Sequence, residues 1–295
     1  MAYSNLKLDK ILEQVKNAFG KQFMRSMALS ANVSKEIIPR GQNSLKLTIP
    51  AALTASKRVA GGAAATPATP APTASILYAN TEYSSPIRID RLDATGTEYD
   101  ISAFQATNAA DAIIGSLNTD VWAKAAAVTT NAVGAPGTVP SIKILNKAWT
   151  KLFNAKVPSK SALYGIVGGD EWQVWKDAMT VSDYGMLGSG VVTKGQMNEA
   201  YGFYLEPDQQ RPGTSGTDAV NIAFHPEAFK IGFRQDIPEV SGIQLSQVVE
   251  PITGITLFAT KEGYSDSNGI GDIVTFFVVA GVETVYDPWA CIING

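Results

Sequence analysis

Leu45, Leu47 and Ile49 alternate with Ser44, Lys46 and Thr48, and further along Ile87 and Ile89 alternate with Arg88 and Asp90. A two-residue period is what a strand with one apolar face produces, so the spacing predicts two strands. Between them, residues 60–74 contain only Ala, Gly, Thr and Pro. Pro50 and Pro86 each remove a ladder donor, which predicts sheet-edge positions for both segments. At about 3.3 Å per residue, residues 43–59 reach roughly 55 Å. A globule of this length has a radius of gyration of about 19 Å. The expectation is a long ribbon that projects from the body. A two-stranded ribbon is marginal alone in water, so its counterpart is expected on another copy of the chain or on a neighbouring protein. The alternative is a disordered surface insertion without a role.

Helical spacing appears on either side of this ribbon. Leu8, Ile11, Leu12, Val15 and Phe19 predict a short amphipathic helix over 7–19 that stops near Gly20. A longer stripe of Ala110, Ile114, Leu117, Val121, Ala125 and Val128 predicts a helix over 108–129, with Thr107 or Asn108 as N-cap and Trp122 beside the stripe. Residues 131–140 are rich in Gly, Pro, Ala and Val and are expected to form a loop between subdomains.

From Ser141 onward the pattern is mixed. Ser141 is the expected cap of a helix through Asn154, with Ile144, Leu145, Ala148, Trp149 and Leu152 facing inward. A buried strand over 162–167 follows. Asp170 then opens a helix carrying Trp172, Val174, Trp175 and Met179. Gly185, Gly188, Gly190 and Gly195 predict a mobile loop over 182–195. Strands are expected at 202–205, 220–224, 255–260, 273–286 and 291–293, with turns through 207–218 and 266–271. The near-continuous apolar run Ile273 to Ala280, interrupted by Thr275, implies burial on both faces.

Composition narrows the function classes. Only 17% of the 295 residues are charged, which suits a chain that buries much of its surface against itself or its neighbours. The single cysteine, Cys291, rules out an internal disulfide framework and reads as a small buried hydrophobe. The longest apolar run is too short to span a bilayer, and no secretory signal is expected. The net charge of −3 hides an asymmetry: residues 1–40 hold seven Lys or Arg against three acids, so the remainder is near −7. The basic N-terminal segment is expected either to meet an acidic surface, nucleic acid or a neighbouring subunit, or to form an ordinary solvated face. No dense basic stripe or nucleic-acid module supports sequence-specific reading.

Candidate chemistry is sparse. One histidine and one cysteine, far apart, practically exclude a zinc site of those residue types. His225, before Pro226, reads as a structural imidazole. Ser189 and Ser215 lack the spacing of a nucleophile elbow. Lys194 follows glycines without the Gly-Lys-Ser/Thr ending of a phosphate cradle, and Gly269 and Gly271 sit in a turn between strands. The acid pairs Asp90 with Asp93 and Asp170 with Glu171 are explained by turns and helix N-termini. The five tryptophans read as core and interface anchors. No catalytic, cofactor-binding or metal residue is expected, and the chain reads as a non-enzyme.

The segment Asn221-Ile-Ala-Phe-His-Pro-Glu-Ala-Phe-Lys-Ile-Gly-Phe-Arg234 and the C-terminal stretches Gly254 to Thr260 and Asp272 to Ile293 resemble the major capsid proteins of tailed double-stranded DNA bacteriophages. In the first segment a strand is expected to run through a polar hinge into a helix. The order of elements along nearly the whole chain is similar as well. The resemblance implies an α+β Hong Kong 97-type capsid fold: an N-terminal arm (1–40), an extended loop or E-loop (41–100), a peripheral domain with a spine helix (101–135), an axial α/β domain (136–240), and a return to the peripheral domain with the C-terminal strand (241–295). It further implies self-assembly into hexamers and pentamers of an icosahedral shell around packaged DNA, touched without sequence preference. A separate scaffolding protein, a portal and a decoration protein are the implied partners, and the virion, assembled in the host cytoplasm, is the implied location. Residues 266–270 would form the peripheral hairpin tip. Some relatives join subunits by a lysine-to-asparagine link, for which Lys46 or Lys57 would serve here, yet nothing selects a complete trio and noncovalent stabilisation is expected. An encapsulin-type nanocompartment shell and a β-rich surface adhesion module are the alternatives.

Overall fold

Apolar stripes became helix faces and alternating runs became strands in the computed structural model, which describes residues 8–25, 28–49, 73–90, 101–158, 162–178, 199–237, 244–266 and 269–295. Pro50, Lys57, the tract through residue 72 and the glycine loop at 182–195 lie outside the described residues, as do Met179 and residues 267–268 of the hairpin tip.

The chain order is α1 (Leu8–Arg25), α2 (Leu29–Asn32), β1 (Ser34–Ile38), β2 (Ser44–Ile49), β3 (Thr73–Tyr78), β4 (Thr81–Asp90), the long α3 (Ile101–Ala126), β5 (Ala132–Gly134), α4 (Ile144–Asn154), β6 (Leu163–Val167), α5 (Gly169–Ala178), β7 (Glu199–Ala200), β8 (Phe203–Pro207), β9 (Val220–Phe224), β10 (Phe229–Arg234), β11 (Gln244–Val249), β12 (Thr256–Asp266), β13 (Gly269–Thr284) and β14 (Ala290–Asn294). Two six-stranded sheets and one ribbon result. The first sheet runs β1-β10-β13-β12-β11, with β4 also paired to β13. The second runs β5-β14-β9-β6-β8-β7, and β2 pairs only with β3.

Period-2 alternation divides the second sheet between two cores. Ile222, Phe224, Ala290 and Ile292 face the main core built on α3, whereas Ala223, Cys291 and Ile293 face a smaller core with Leu145, Ala148 and Leu152 of α4 and Trp175 of α5. The run Ile273 to Ala280 is used on both faces as expected: Val274, Phe276 and Val278 enter the main core, and Phe277 and Val279 pack with Phe258 in a third cluster. Phe258 and Phe277 stack with centroids 5.5 Å apart.

Several local expectations are corrected. Helix α1 does not stop at Gly20 but passes through it to Arg25. Gly20 is buried there, and a Cβ would stand 2.6 Å from a Glu250 carboxylate oxygen, so the glycine serves close approach and not termination. Helix α3 begins at Ile101, which makes Thr107 and Asn108 interior residues. Ser141 does not cap α4; it accepts from the Ile144 N–H in a preceding turn, and Lys143 takes the cap position without a side-chain bond. The loop at 131–140 contains β5, paired in parallel with β14. After His225 the chain makes one 3₁₀ turn, Pro226–Ala228, and continues as β10 and not as a helix.

The return strand of the ribbon is β3, whereas the segment with Ile87 belongs to β4 in the large sheet, where Thr275 faces Pro86. Among the described residues strand β4 has a single partner, β13, so Pro86 occupies an edge there. The N-terminal helix of the implied arm turns its apolar stripe onto its own chain. Leu12, Val15, Phe19 and Phe23 are buried in the chain's own main core, with Phe19 and Phe23 stacked at 5.3 Å and Phe23 edge-on to Phe233. Its apolar stripe was legible, but which surface would cover it was a question of three-dimensional placement.

Candidate functional site

Among the described residues the candidates for chemistry do not converge. His225 Nδ1 accepts from the Glu227 N–H at 3.2 Å, and the ring meets Trp289 edge-on at 5.2 Å. Burial lowers its pKa, the nearby Glu227 charge opposing, so it is held neutral as a structural imidazole. Cys291 is fully buried, and its thiol is pushed up to about 12 by desolvation, which removes it as a nucleophile. Asp170 is exposed, whereas Glu171 beside it is fully buried and paired with Arg211 at 2.9 Å, so the two carboxylates face different environments. Ser215 lies in the turn-rich segment before β9, and Asp90 ends β4; Ser189, Lys194 and Asp93 lie outside the described residues. Gly269 and Gly271 belong to the hairpin strand β13. Among the described residues no cluster of three metal-ligating side chains occurs. Among the described residues no helix is long and apolar enough to cross a membrane.

A cavity of about 440 Å³ opens at the base of the ribbon, lined in part by Tyr78, Asn80, Tyr83, Asp120, Lys124 and Glu283. Four of its polar side chains pair with one another. Tyr83 donates to Asp120 at 2.6 Å, and Lys124 meets Glu283 at 3.0 Å. Burial, followed by the bond to Asp120, raises the Tyr83 pKa, so that phenol is a fixed donor and not a base.

One buried polar cluster was invisible in the sequence. Asp208, at the end of β8, receives the Leu29 N–H, Asn118 Nδ2 and Trp122 Nε1 on one oxygen at 2.8–2.9 Å, and the Gln210 N–H on the other at 2.8 Å. Asn118 in turn accepts from the Ser30 N–H at 2.8 Å. The cluster ties α2, α3 and the segment after β8 into one unit. Burying a carboxylate is tolerated when its lone pairs are this well satisfied. Glu250 plays a comparable part beside α1. Desolvation would raise its pKa, but the Thr253 hydroxyl, the Thr253 and Ile252 N–H groups and the Lys16 charge outweigh it and lower the value.

Apolar side chains left in water mark the surfaces with something to gain from association. On the ribbon, Leu47 and Leu77 are buried, Leu77 lying over Gly232 beside Ile38, while Ile76 is 47% exposed and Tyr78 52% exposed. Ile252 between β11 and β12, and Ile270 on the β12–β13 hairpin, also face water. Lys46, a candidate for covalent linkage, is exposed on β2. Trp149, expected to face inward, is exposed and stacks on Phe153 with centroids 5.0 Å apart; Val174 is likewise outward.

The sequence matches no protein-family model and no curated protein. The fold is similar to that in a structure titled Mycobacterium phage Che8, with a TM-score of 0.60, 16% identity, and coverage of 86% of this chain and 85% of that one. It is also similar to the capsid structure of the cyanophage P-SCSP1u, with a TM-score of 0.62, 14% identity and coverage of 89% and 86%. A virus-like particle from Pyrococcus furiosus matches with a TM-score of 0.55, 11% identity and coverage of 96% and 98%. At these identities the likeness is one of fold. The chain has the Hong Kong 97-type capsid fold over most of its length.

Proposed function

We propose that this chain is the major capsid protein of a tailed double-stranded DNA phage, acting by many-copy self-assembly and without catalysis. The carrying observation is that capsid structures share its fold across most of both chains. In this reading residues 1–40 are the arm, 41–100 the E-loop, 101–135 the spine-helix region, 136–240 the axial domain and 241–295 the return and closing strand. Exposed Ile76 and Tyr78 give the ribbon an apolar face to lay on a neighbouring subunit, where burial is worth about 25 cal/mol per Å². Hexamers and pentamers of the same chain would close the shell. Packaged DNA would be met through charge alone. Scaffolding, portal and decoration proteins are the proposed partners, and subunits would be held noncovalently in a virion assembled in the host cytoplasm.

The virus-like particle that matches nearly end to end supports a second reading, a nanocompartment shell of the encapsulin type. The adhesion-module alternative has no support beyond the low-charge tract. Expression followed by sedimentation and negative-stain microscopy tests the shell reading: discrete capsomers or shells are expected, and a monomer under every assembly condition refutes it. Nuclease-protected DNA in particles recovered from infected cells supports the phage reading, whereas an enclosed enzyme supports the compartment.

A further inference from the structure

Charge is segregated more sharply within the chain than its net value shows. From Val121 to Gly169 there are six lysines and no Asp, Glu or Arg, which leaves the rest near −9 against an overall −3. Lys143 precedes α4, and Lys147 and Lys151 follow at four-residue intervals, about 6 Å apart along the axis. All three are exposed, and none of the ion pairs among the described residues includes them. Beside this row stand the stacked rings of Trp149 and Phe153, 39% and 61% exposed.

Two backbone positions mark the same place. Among the described residues only Lys156 and Tyr201 combine a side chain with positive φ, at 57° and 52°. Both border α4. Lys156 ends the helix, donating its N–H to the Phe153 carbonyl, and Tyr201 precedes Gly202, where a Cβ would stand 3.7 Å from the Trp149 ring nitrogen. Glycine adopts this conformation freely and a lysine or tyrosine does not. Strain kept at a surface rich in lysine and aromatic side chains points to a surface that is used.

The complement lies on the neighbouring helix. Asp170, Val174 and Asp177 recur at i, i+4 and i+7 on α5 and share its exposed side, while Glu171 and Trp175 turn inward. No ion pair joins α4 and α5 within the chain, although both cover the same face of the second sheet.

We propose that α4 of one copy docks on the exposed face of α5 of the next, with Lys147 and Lys151 against Asp170 and Asp177 and the Trp149–Phe153 pair over Val174. The contact rests on the shell reading and names the surfaces that meet. Exposed aromatic side chains supply the anchor, and the charges select partner and register. Against a nucleic-acid backbone the lysines alone would have sufficed, whereas the acidic face with its central valine matches rings and charges together.

The test is a charge swap followed by sedimentation velocity at 50 mM and 500 mM NaCl. The double variant Lys147→Glu with Lys151→Glu, and separately Asp170→Lys with Asp177→Lys, are each expected to raise the concentration needed for assembly at least tenfold. Carrying all four substitutions together is expected to restore assembly. Circular dichroism should stay at wild-type values, because every altered side chain is exposed; Trp149→Ala should weaken assembly without a change in charge. If the wild type assembles and both reversals assemble equally well, the contact is refuted while the shell reading stands. If each reversal blocks assembly and their combination does not restore it, the lysine row has another partner and the pairing is wrong. If the lysine variant assembles normally but loses affinity for duplex DNA, the face belongs to nucleic acid. A wild-type chain that never assembles removes the shell reading and this contact with it.

Discussion

Replacing Asp208 by alanine strips one acceptor from four donors at once. The Leu29 N–H, Asn118 Nδ2 and Trp122 Nε1 all lie in buried surroundings, and the Gln210 N–H is half-buried. A buried donor left without a partner costs about 1–3 kcal/mol, and hydrogen bonds to a charged group contribute roughly 1.5–3 kcal/mol each. Simple addition overshoots, because a water entering the space vacated by the carboxylate would satisfy part of the set. A loss of about 4 kcal/mol is therefore expected for Asp208→Ala, a large share of the roughly 5–15 kcal/mol that holds a typical domain folded. Trp122→Phe removes one donor and keeps most of the ring, so about 1 kcal/mol is expected. The two changes touch the same oxygen, and the double variant should lose at least 0.5 kcal/mol less than the sum of the single losses. Guanidinium denaturation of the unassembled chain, followed by tryptophan fluorescence and far-ultraviolet circular dichroism, gives the three values. Should Asp208→Ala fall within 1 kcal/mol of wild type, or the double variant prove additive, the cluster does not join α2, α3 and the post-β8 segment in the manner argued.

Further outcomes follow from other positions. At Gly281 a Cβ would run into the Tyr78 carbonyl, so Gly281→Ala is expected to destabilise by more than about 3 kcal/mol or to leave the chain insoluble, as read from the soluble fraction and thermal midpoint. Ile76→Asp with Tyr78→Asp on the ribbon should change folding stability by less than about 0.5 kcal/mol yet abolish assembly in sedimentation. Lys35 rests over the Phe23 ring and donates to the Ala31 carbonyl at 2.8 Å, and burial pulls its pKa from 10.5 down to about 8. In the window from about 8 to 10.5 the unfolded chain holds more protons on this group than the folded one, so wild-type stability should rise with pH across it. Lys35→Met is expected to gain about 1–2 kcal/mol at pH 7, after discounting for the partial exposure of the amine, with the gain fading above pH 10 in urea melts.

Local periodicity carried much of the fold. Val220–Phe224 was visible as a strand because four of its five residues are apolar and serve two cores, and Ile273 to Ala280 announced burial on both faces. Errors arose where a residue's purpose was distant. Gly20 looked like a helix stop because its reason for being glycine is Glu250, remote in sequence. Thr107 and Asn108 looked like caps because the helix continues upstream of its clearest apolar stripe. The ribbon's return strand was placed too late because Ile87 and Ile89 of β4 alternate clearly whereas Ile76, Leu77 and Tyr78 of β3 run together, and pairing with β2 or with β13 is decided by three-dimensional register. The same limit applies to the association surfaces. The lysine spacing of α4 lies open in the sequence, but Trp149 sits at the margin of its apolar stripe, and only the packed helix shows it turned toward water.

The seclusion of Cys291 has a practical corollary. With the chain's only thiol sealed inside and reluctant to ionise, maleimide reagents should pass over the native protein. A cysteine introduced at the exposed loop residue Thr138 would then carry a fluorophore at a single known address, and the colour change on mixing two differently dyed preparations would report in real time how neighbours find one another.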